Sequence, residues 1–213
     1  MKKPHITLKC AISLDGYLDD NSTSRLLLSS EEDLRAVDQL RAGSDAILVG
    51  AGTIRSDDPS LCVKDVSLLK GKSQPLRVAV SRSLTLPPNA RFFSTDSQKP
   101  ILYTPAEHIE TATSNFGALA ECVSCGQLLI DWGGLFENLA NRGVKQLLIE
   151  AGASLSSQLI PLKHFDRVRL AIAPYVLGQT GGARFCESVS KQVSDLKLVE
   201  SEQLGNTQVL WLQ

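Results

Sequence analysis

Residues 46–61 read Ala46-Ile47-Leu48-Val49-Gly50-Ala51-Gly52-Thr53-Ile54-Arg55-Ser56-Asp57-Asp58-Pro59-Ser60-Leu61. The first four are uniformly apolar and are closed by a glycine, the pattern of a strand covered on both faces. The continuation GAGTIRSDDPSL packs two glycines, a threonine and an acid pair into one turn. Glycines let a backbone come close to a phosphate or a flat ring, and a helix starting there aims free amides at an anion. Arg55 occupies the place of the third glycine of G-x-G-x-x-G, so the stretch is only half of a dinucleotide fingerprint. Pro59 biases Asp58 toward an extended conformation, which would help fix the turn.

Outward from this stretch, short β-rich runs alternate with helical patterns, as in an α/β sheet protein. Strands are predicted at 5–12, 45–49, 76–80, 101–104, 146–150, 167–173 and 208–212. Ser30-Glu31-Glu32-Asp33 supplies a hydroxyl for free amides and acids for the positive end of a helix. On that helix Leu34, Val37 and Arg41 fall at i, i+3 and i+7, so Arg41 lies on or beside the apolar stripe. Either its stem snorkels to water or its guanidinium meets an anion at the helix end. Further helices are predicted over 135–141, closed by Arg142-Gly143, and from Ala153 to before Pro161. Residues 70–74 and 87–89 read as loops. Without repeat or linker, 1–213 reads as a single domain.

A second strand-to-turn junction repeats the logic of the first. Gln146-Leu147-Leu148-Ile149-Glu150 ends a buried-strand pattern in an acid, and Ala151-Gly152-Ala153-Ser154-Leu155 opens the next helix. A carboxylate beside a glycine-containing helix start suits a polar ligand group and a phosphate side by side. Alternatively Glu150 serves only as a partner of the helix dipole. Lys9 sits within an apolar strand, so its ammonium needs a partner, a polar cavity or an edge facing solvent.

The chain carries 22 Lys and Arg among 23 Asp and Glu, scattered without a long run of either sign. That balance speaks against a nucleic-acid partner. No run approaches the roughly 20 apolar residues of a membrane span, and the first residues lack the pattern of a signal peptide, so a cytoplasmic protein is expected. Cys10, Cys62, Cys122, Cys125 and Cys186 are odd in number and suit reduced thiols. Cys122-Val123-Ser124-Cys125 has C-x-x-C spacing, but no second pair or nearby histidine completes a metal site, and a strand end before Gly126 is the simpler reading. His5, His108 and His164 lie apart in sequence, and Trp132 and Trp211 read as core or interface residues.

Taken in order, LKCAISLDGYL (8–18), SRLLLSSEEDL (24–34), LRAGSDAILVGAGTIRSDDPSL (40–61), QPLRVAV (74–80), LLIEAGASL (147–155) and IAPYVLG (172–178) match one pattern. Its most specific pieces are V-G-x-x-T-x-x-x-D-D-P-x-L and the later E-x-G-x-x-L. The succession resembles the reductase domain of riboflavin biosynthesis, found as the C-terminal half of a bacterial bifunctional pyrimidine deaminase/reductase and as stand-alone archaeal and fungal enzymes. The resemblance implies a dihydrofolate-reductase-like fold, α/β with a mixed, mostly parallel central sheet flanked by helices, and a homodimer that binds NADPH. It implies reduction of the ribosyl group of an aminopyrimidine ribosylamine 5′-phosphate to a ribityl chain. It gives Gly50, Thr53 and Asp57 to the cofactor, with Asp57 between nicotinamide and substrate. Ala11 would lie against the cofactor, and Gly152, Ala153, Ser154, Leu155 and Ser156 would hold its pyrophosphate. Ser24, Arg41, Ser60, Leu61 and Lys64 match substrate contacts, Arg41 meeting the 5′-phosphate. Lys9 would face the ribose and Glu150 the pyrimidine edge, and Lys9, Asp57 and Glu150 are the candidate proton donors. No H-x-E followed by P-C-x-x-C occurs, so no zinc deaminase activity is expected.

Several positions depart from the family pattern. Leu26, in the cofactor set, stands where an aromatic residue is usual, Lys64 replaces an arginine, and Ala153 takes the place of a second glycine. Ser81-Arg82-Ser83 follows the strand 76–80 where aspartate and a small residue are usual. Arg82 either receives the 2′-phosphate of NADPH or is a solvated turn residue. These departures keep two alternatives open: a dihydrofolate or pteridine reductase on the same fold, and a nucleotide-binding dimer module without catalysis.

Overall fold

The computed structural model describes residues 2–20, 22, 26–94, 98–187 and 196–213. Along the chain run β1 (His5–Ser13), α1 (Glu31–Ala42), β2 (Ala46–Gly50), α2 (Ala51–Asp57), β3 (Leu76–Val80) and β4 (Ile101–Thr104). They are followed by α3 (Ile109–Phe116), β5 (Glu121–Ser124), α4 (Trp132–Asn141), β6 (Gln146–Glu150), α5 (Ala153–Leu159), β7 (Arg167–Ala173), β8 (Leu198–Leu204) and β9 (Thr207–Leu212). The strand order is β5-β4-β3-β2-β6-β1-β7-β9-β8. β2 to β5 pair in parallel, as do β1 and β7, whereas β9 runs antiparallel to both β7 and β8. The alternating pattern predicts an α/β sheet protein, and this sheet is mixed and mostly parallel, as the family resemblance implies.

The chain divides into two compact units. In the first, Met1–His5 with Gln39–Leu148, the apolar runs of β2, β3 and β4 are buried almost throughout. Ile47, Val49, Ala79 and Leu102 pack with Ile54 and Leu61, and with Phe92, Phe93 and Phe116. Phe93 stacks on Phe116 with centroids 5.5 Å apart and meets Phe92 edge-on at 5.0 Å. Arg77, the second residue of β3, is buried, and its guanidinium donates to the carbonyls of Phe92 (2.7 Å), Ser94 (2.8 Å) and Gln98 (3.1 Å). A strand pattern read by hydropathy treats such an arginine as an exception, and only the loop it organises explains it.

In the second unit, Ile6–Asp38 with Ile149–Gln213, the Ser30 hydroxyl accepts from the Asp33 amide at 3.1 Å and donates to the Leu204 carbonyl at 2.7 Å. The cap therefore starts α1 and ties it to the hairpin of β8 and β9. Asp33 goes further than the dipole role given to it. Its carboxylate receives Arg169 of β7 at 2.6 Å with both side chains excluded from solvent, and Arg169 lies 5.8 Å from the Trp211 ring.

Three local expectations change. The stretch after β2 is a helix of seven residues, not only a turn. Asp58 is left-handed, with φ 41 and ψ 55, rather than extended. It closes α2 by donating its amide to the Ile54 carbonyl, and its side chain accepts from the Arg91 amide at 2.7 Å. Aspartate tolerates this region, so these two bonds outweigh the preference imposed by Pro59. Finally, α3 and β8 escape the pattern reading. The strand β8 exposes most of its residues, so no apolar alternation marks it. In α3 the residues Ile109, Ala112 and Phe116 do fall at i, i+3 and i+7, but the helix has only 8 residues, so the period has little length over which to repeat.

Candidate active site

In the first unit, α2 starts at the end of β2 without a side-chain cap at Gly50, so its first amides are not covered by a capping side chain. A Cβ built on Gly52 would meet only the Arg55 guanidinium, at 3.9 Å, so protein packing does not require the glycine. Thr53 is half-buried, and Asp57 one turn on accepts the Ser56 hydroxyl at 2.6 Å. The next loop begins with Ser60, whose hydroxyl accepts from the Cys62 amide at 3.4 Å. Leu61 holds a positive φ of 55 while its side chain is fully buried. Packing thus keeps a leucine in a conformation that costs on the order of 1 kcal/mol or more.

Arg41 reaches this loop from the end of α1 and donates to the Cys62 carbonyl at 3.2 Å. It neither merely snorkels nor stands apart, because it fixes the segment that carries Ser60, Leu61 and Lys64. Lys64 is exposed. Beyond β3, the Ser81 hydroxyl accepts from the Leu84 amide at 3.0 Å and holds the bend on which Arg82 is exposed. Arg55 of α2 donates to the carbonyl and hydroxyl of Thr85 at 2.9 and 3.0 Å, tying α2 to the same bend.

The second unit carries the other candidates. Lys9 and Ala11 are half-buried in β1, and Glu150 is half-buried at the end of β6. The Lys9 carbonyl accepts from the Ala151 amide at 3.0 Å, which brings the start of α5 against β1. Cys10 donates to the Ala151 carbonyl at 3.3 Å and lies 3.4 Å from the Ser156 hydroxyl. Burial pushes the Cys10 thiol up to about 12, against the opposing pull of the Ser156 hydroxyl and the Lys9 charge. Within α5, Leu155 and Ser156 are buried, and the Ser156 hydroxyl donates back to the Gly152 carbonyl at 3.1 Å. Gly152 and Ala153 are partly accessible and Ser154 is exposed, its hydroxyl accepting from Gln158 at 3.1 Å. Leu26 is half-buried, and Ser24 lies outside the described residues.

Pattern reading missed a further cluster in this unit. Asp15, just past β1, accepts from the Ser13 hydroxyl at 2.7 Å and from the amides of Leu177 and Gly178 at 3.1 and 2.8 Å. These bonds, led by Ser13 and Gly178, hold its carboxyl down at about 2. Arg184 donates to the Asp15 carbonyl at 3.0 Å and to the Tyr17 hydroxyl at 2.7 Å. The only signal in the sequence was the Asp15-Gly16 turn, which fixes neither partner.

A profile of the RibD C-terminal domain matches residues 4–210. The chain belongs to the RibD C-terminal domain family. It is 34% identical over 194 residues to the 2,5-diamino-6-ribosylamino-4(3H)-pyrimidinone 5′-phosphate reductase of Archaeoglobus fulgidus, with 88% of each chain covered. The protein of that name from Methanothermobacter thermautotrophicus is 33% identical, over 83% of this chain and 80% of the other. Among solved structures, RibD of Acinetobacter baumannii matches all of this chain with a TM-score of 0.82 at 26% identity. This chain spans 58% of that RibD. By the names of its members the RibD C-terminal domain is an oxidoreductase family, and the fold is dihydrofolate-reductase-like.

Among the described residues, no group of His, Cys, Asp and Glu could hold a metal ion, and no helix is long and apolar enough to cross a membrane.

Proposed function

We propose that the chain, as one reductase domain over residues 1–213, uses NADPH to reduce the ribosyl group of an aminopyrimidine ribosylamine 5′-phosphate to the ribityl form in riboflavin biosynthesis. The observation that carries this reading is the Arg41 guanidinium bonded to the loop of Ser60, Leu61 and Lys64, which gives one loop two cations suited to a phosphate dianion. The names and identities of the two archaeal reductases support it.

The residues present fit a dinucleotide. The start of α2 has no side-chain cap, and the space over Gly52 is open to anything but the Arg55 tip. Gly50 and Thr53 would hold the nicotinamide half, and Gly152, Ala153 and Ser154 the pyrophosphate. NADPH, when bound, supplies the hydride that reduces sugar C1′. The chain's own residues bind the phosphate with Arg41 and Lys64 and accept pyrimidine N–H groups on Glu150. Asp57, Glu150 or Lys9 delivers the proton to the departing ring oxygen. Arg82, exposed on its bend, receives the 2′-phosphate, so Arg82→Ala narrows the preference for NADPH over NADH by about tenfold or more.

Asp57→Asn and Glu150→Gln each lower kcat/KM by about 10² to 10⁴ for the pyrimidine substrate, with an unchanged circular dichroism spectrum. Wild-type turnover in both variants rejects the assignment. Faster NADPH oxidation with dihydrofolate than with the pyrimidine ribotide transfers the activity to a pteridine, and NADPH binding without turnover on either leaves a binding module. The enzyme works in the cytoplasm as a homodimer. Exposed Leu14, Tyr175 and Val176, close together because the Leu14 amide donates to the Tyr175 carbonyl at 2.7 Å, support the pairing. Light scattering at a monomer mass speaks against it.

A further inference from the structure

Residues 174–187 cross from the end of β7 to α5 within the second unit, and their partners are unusually well defined. The Leu14 amide donates to Tyr175, the Leu18 amide to Ala183, and the Gly182 amide to Asp19, at 2.7 to 2.8 Å, so the segment runs beside the turn that leaves β1. Arg184 stacks over the Tyr17 ring at 4.1 Å. A Cβ on Gly181 would come within 2.5 Å of that ring, so only glycine allows the segment to lie this close. At the far end the Arg184 amide donates to Glu187 at 2.7 Å, and the Glu187 amide donates to the Ser157 hydroxyl of α5 at 3.2 Å.

At the near end one carboxylate does the fastening. Asp15 receives the Leu177 and Gly178 amides together with the Ser13 hydroxyl, and charge-assisted bonds of this kind are about twice as strong as neutral ones. The same bonds, led by the Ser13 hydroxyl, hold the Asp15 carboxyl below its ordinary range, in agreement with a carboxylate that stays ionised in this setting. The segment is thus anchored at both ends of one platform: β1 and its exit turn on one side, α5 on the other. The same platform carries Lys9, Ala11 and Gly152 to Ser154.

We propose that Asp15 is a positioning residue for dinucleotide binding: by holding residues 174–187 to the exit turn of β1, it fixes through Glu187 and Ser157 the placement of α5. This rests on the proposed NADPH-dependent function. Asp15 itself contacts neither substrate nor cofactor, and Tyr17 and Arg184 serve the same bracket.

Asp15→Asn keeps the shape but sets a neutral amide against two backbone donors. Hydrogen exchange at the Leu177 and Gly178 amides should quicken about tenfold, and the Kd for NADPH, read by calorimetry, should rise about tenfold, the loss of one such bond. KM for the pyrimidine substrate should stay at the wild-type value, a split that general loosening of the fold does not produce. Arg184→Ala, at an exposed position, should shift both readouts in the same direction by less, and it serves if Asp15→Asn folds poorly. Faster exchange with a wild-type Kd in either variant overturns the positioning role, as does unchanged exchange in both. Should the wild-type chain bind no NADPH, the proposed function fails and this role with it; wild-type binding with an indifferent Asp15→Asn fails this role alone.

Discussion

The candidate residues of the two units rest on different kinds of backbone. In the first, Asp57, Ser60 and Lys64 ride on a short helix and a loop whose course depends on two left-handed residues, Asp58 and Leu61. That course is held by side chains: Arg41 on the Cys62 carbonyl, Asp58 on the Arg91 amide, and Leu61 locked in the core. In the second, Lys9, Ala11 and Glu150 sit in or at the end of regular strands; a buried ion pair joins α1 to β7 behind them, and Asp15 holds the loop after β7. The difference teaches that an irregular site can be displaced by one anchor, whereas a strand-borne site changes only when the layer behind it does.

The largest expected effect tests the second half of that contrast. Arg169→Ala leaves Asp33 as a fully buried carboxylate without its partner and should cost about 3 to 5 kcal/mol in denaturant unfolding. Replacing both, as Asp33→Leu with Arg169→Met, should recover most of it. A loss below about 1 kcal/mol for the single change would show that the layer behind the strands is not what holds them.

Next in size, Leu61→Ala should cost about 2 to 5 kcal/mol, since the side chain is fully buried. Leu61→Gly loses the same contacts but relieves the positive φ, so its cost should be smaller than the Gly-for-Leu cavity alone suggests, by about 1 kcal/mol. If both variants also raise KM for the pyrimidine phosphate while NADPH affinity holds, the anchor positions the phosphate loop and not the core alone.

At alkaline pH a comparable effect probes the second unit alone. Folding raises the Cys10 thiol from 9.0 to about 12, so the folded state keeps a proton that the unfolded chain gives up. That contribution is fully present below pH 9.0 and is lost as pH rises toward about 12. Cys10→Ala should flatten this alkaline decline in the denaturant midpoint, and an unchanged slope would place the loss elsewhere. Smallest of all, Asp58→Gly should stay within about 1 kcal/mol, because relief at the left-handed position offsets the acceptor lost to Arg91.

Much of this was legible in the residues. The runs of β2 and β4, of β3 after Arg77 and of β6 between its polar ends are apolar on successive positions because both faces are covered, and the cap at Ser30 stands beside its acids. Arg41 announced itself by lying on an apolar stripe, and the structure gives it the Cys62 carbonyl, a neutral acceptor that neither reading named. Three features could not be read the same way. Arg77 is a charge in a buried strand whose acceptors lie 15 to 21 residues away. Asp33 passed for a dipole partner because its true partner is 136 residues distant. Ser156, aligned with a phosphate-binding run, turns its hydroxyl inward to Gly152 and Cys10.

The sequence by itself determined the period of most elements, the family, and the residue types available to a reductase, because hydropathy and motif spacing are local quantities. Tertiary structure alone decided which polar groups are spent on the protein itself. Asp15 on the Leu177 and Gly178 amides, Asp33 on Arg169, and Arg77 on its carbonyls depend on contacts between distant segments, and a buried charge takes its role from whichever group desolvation leaves within reach.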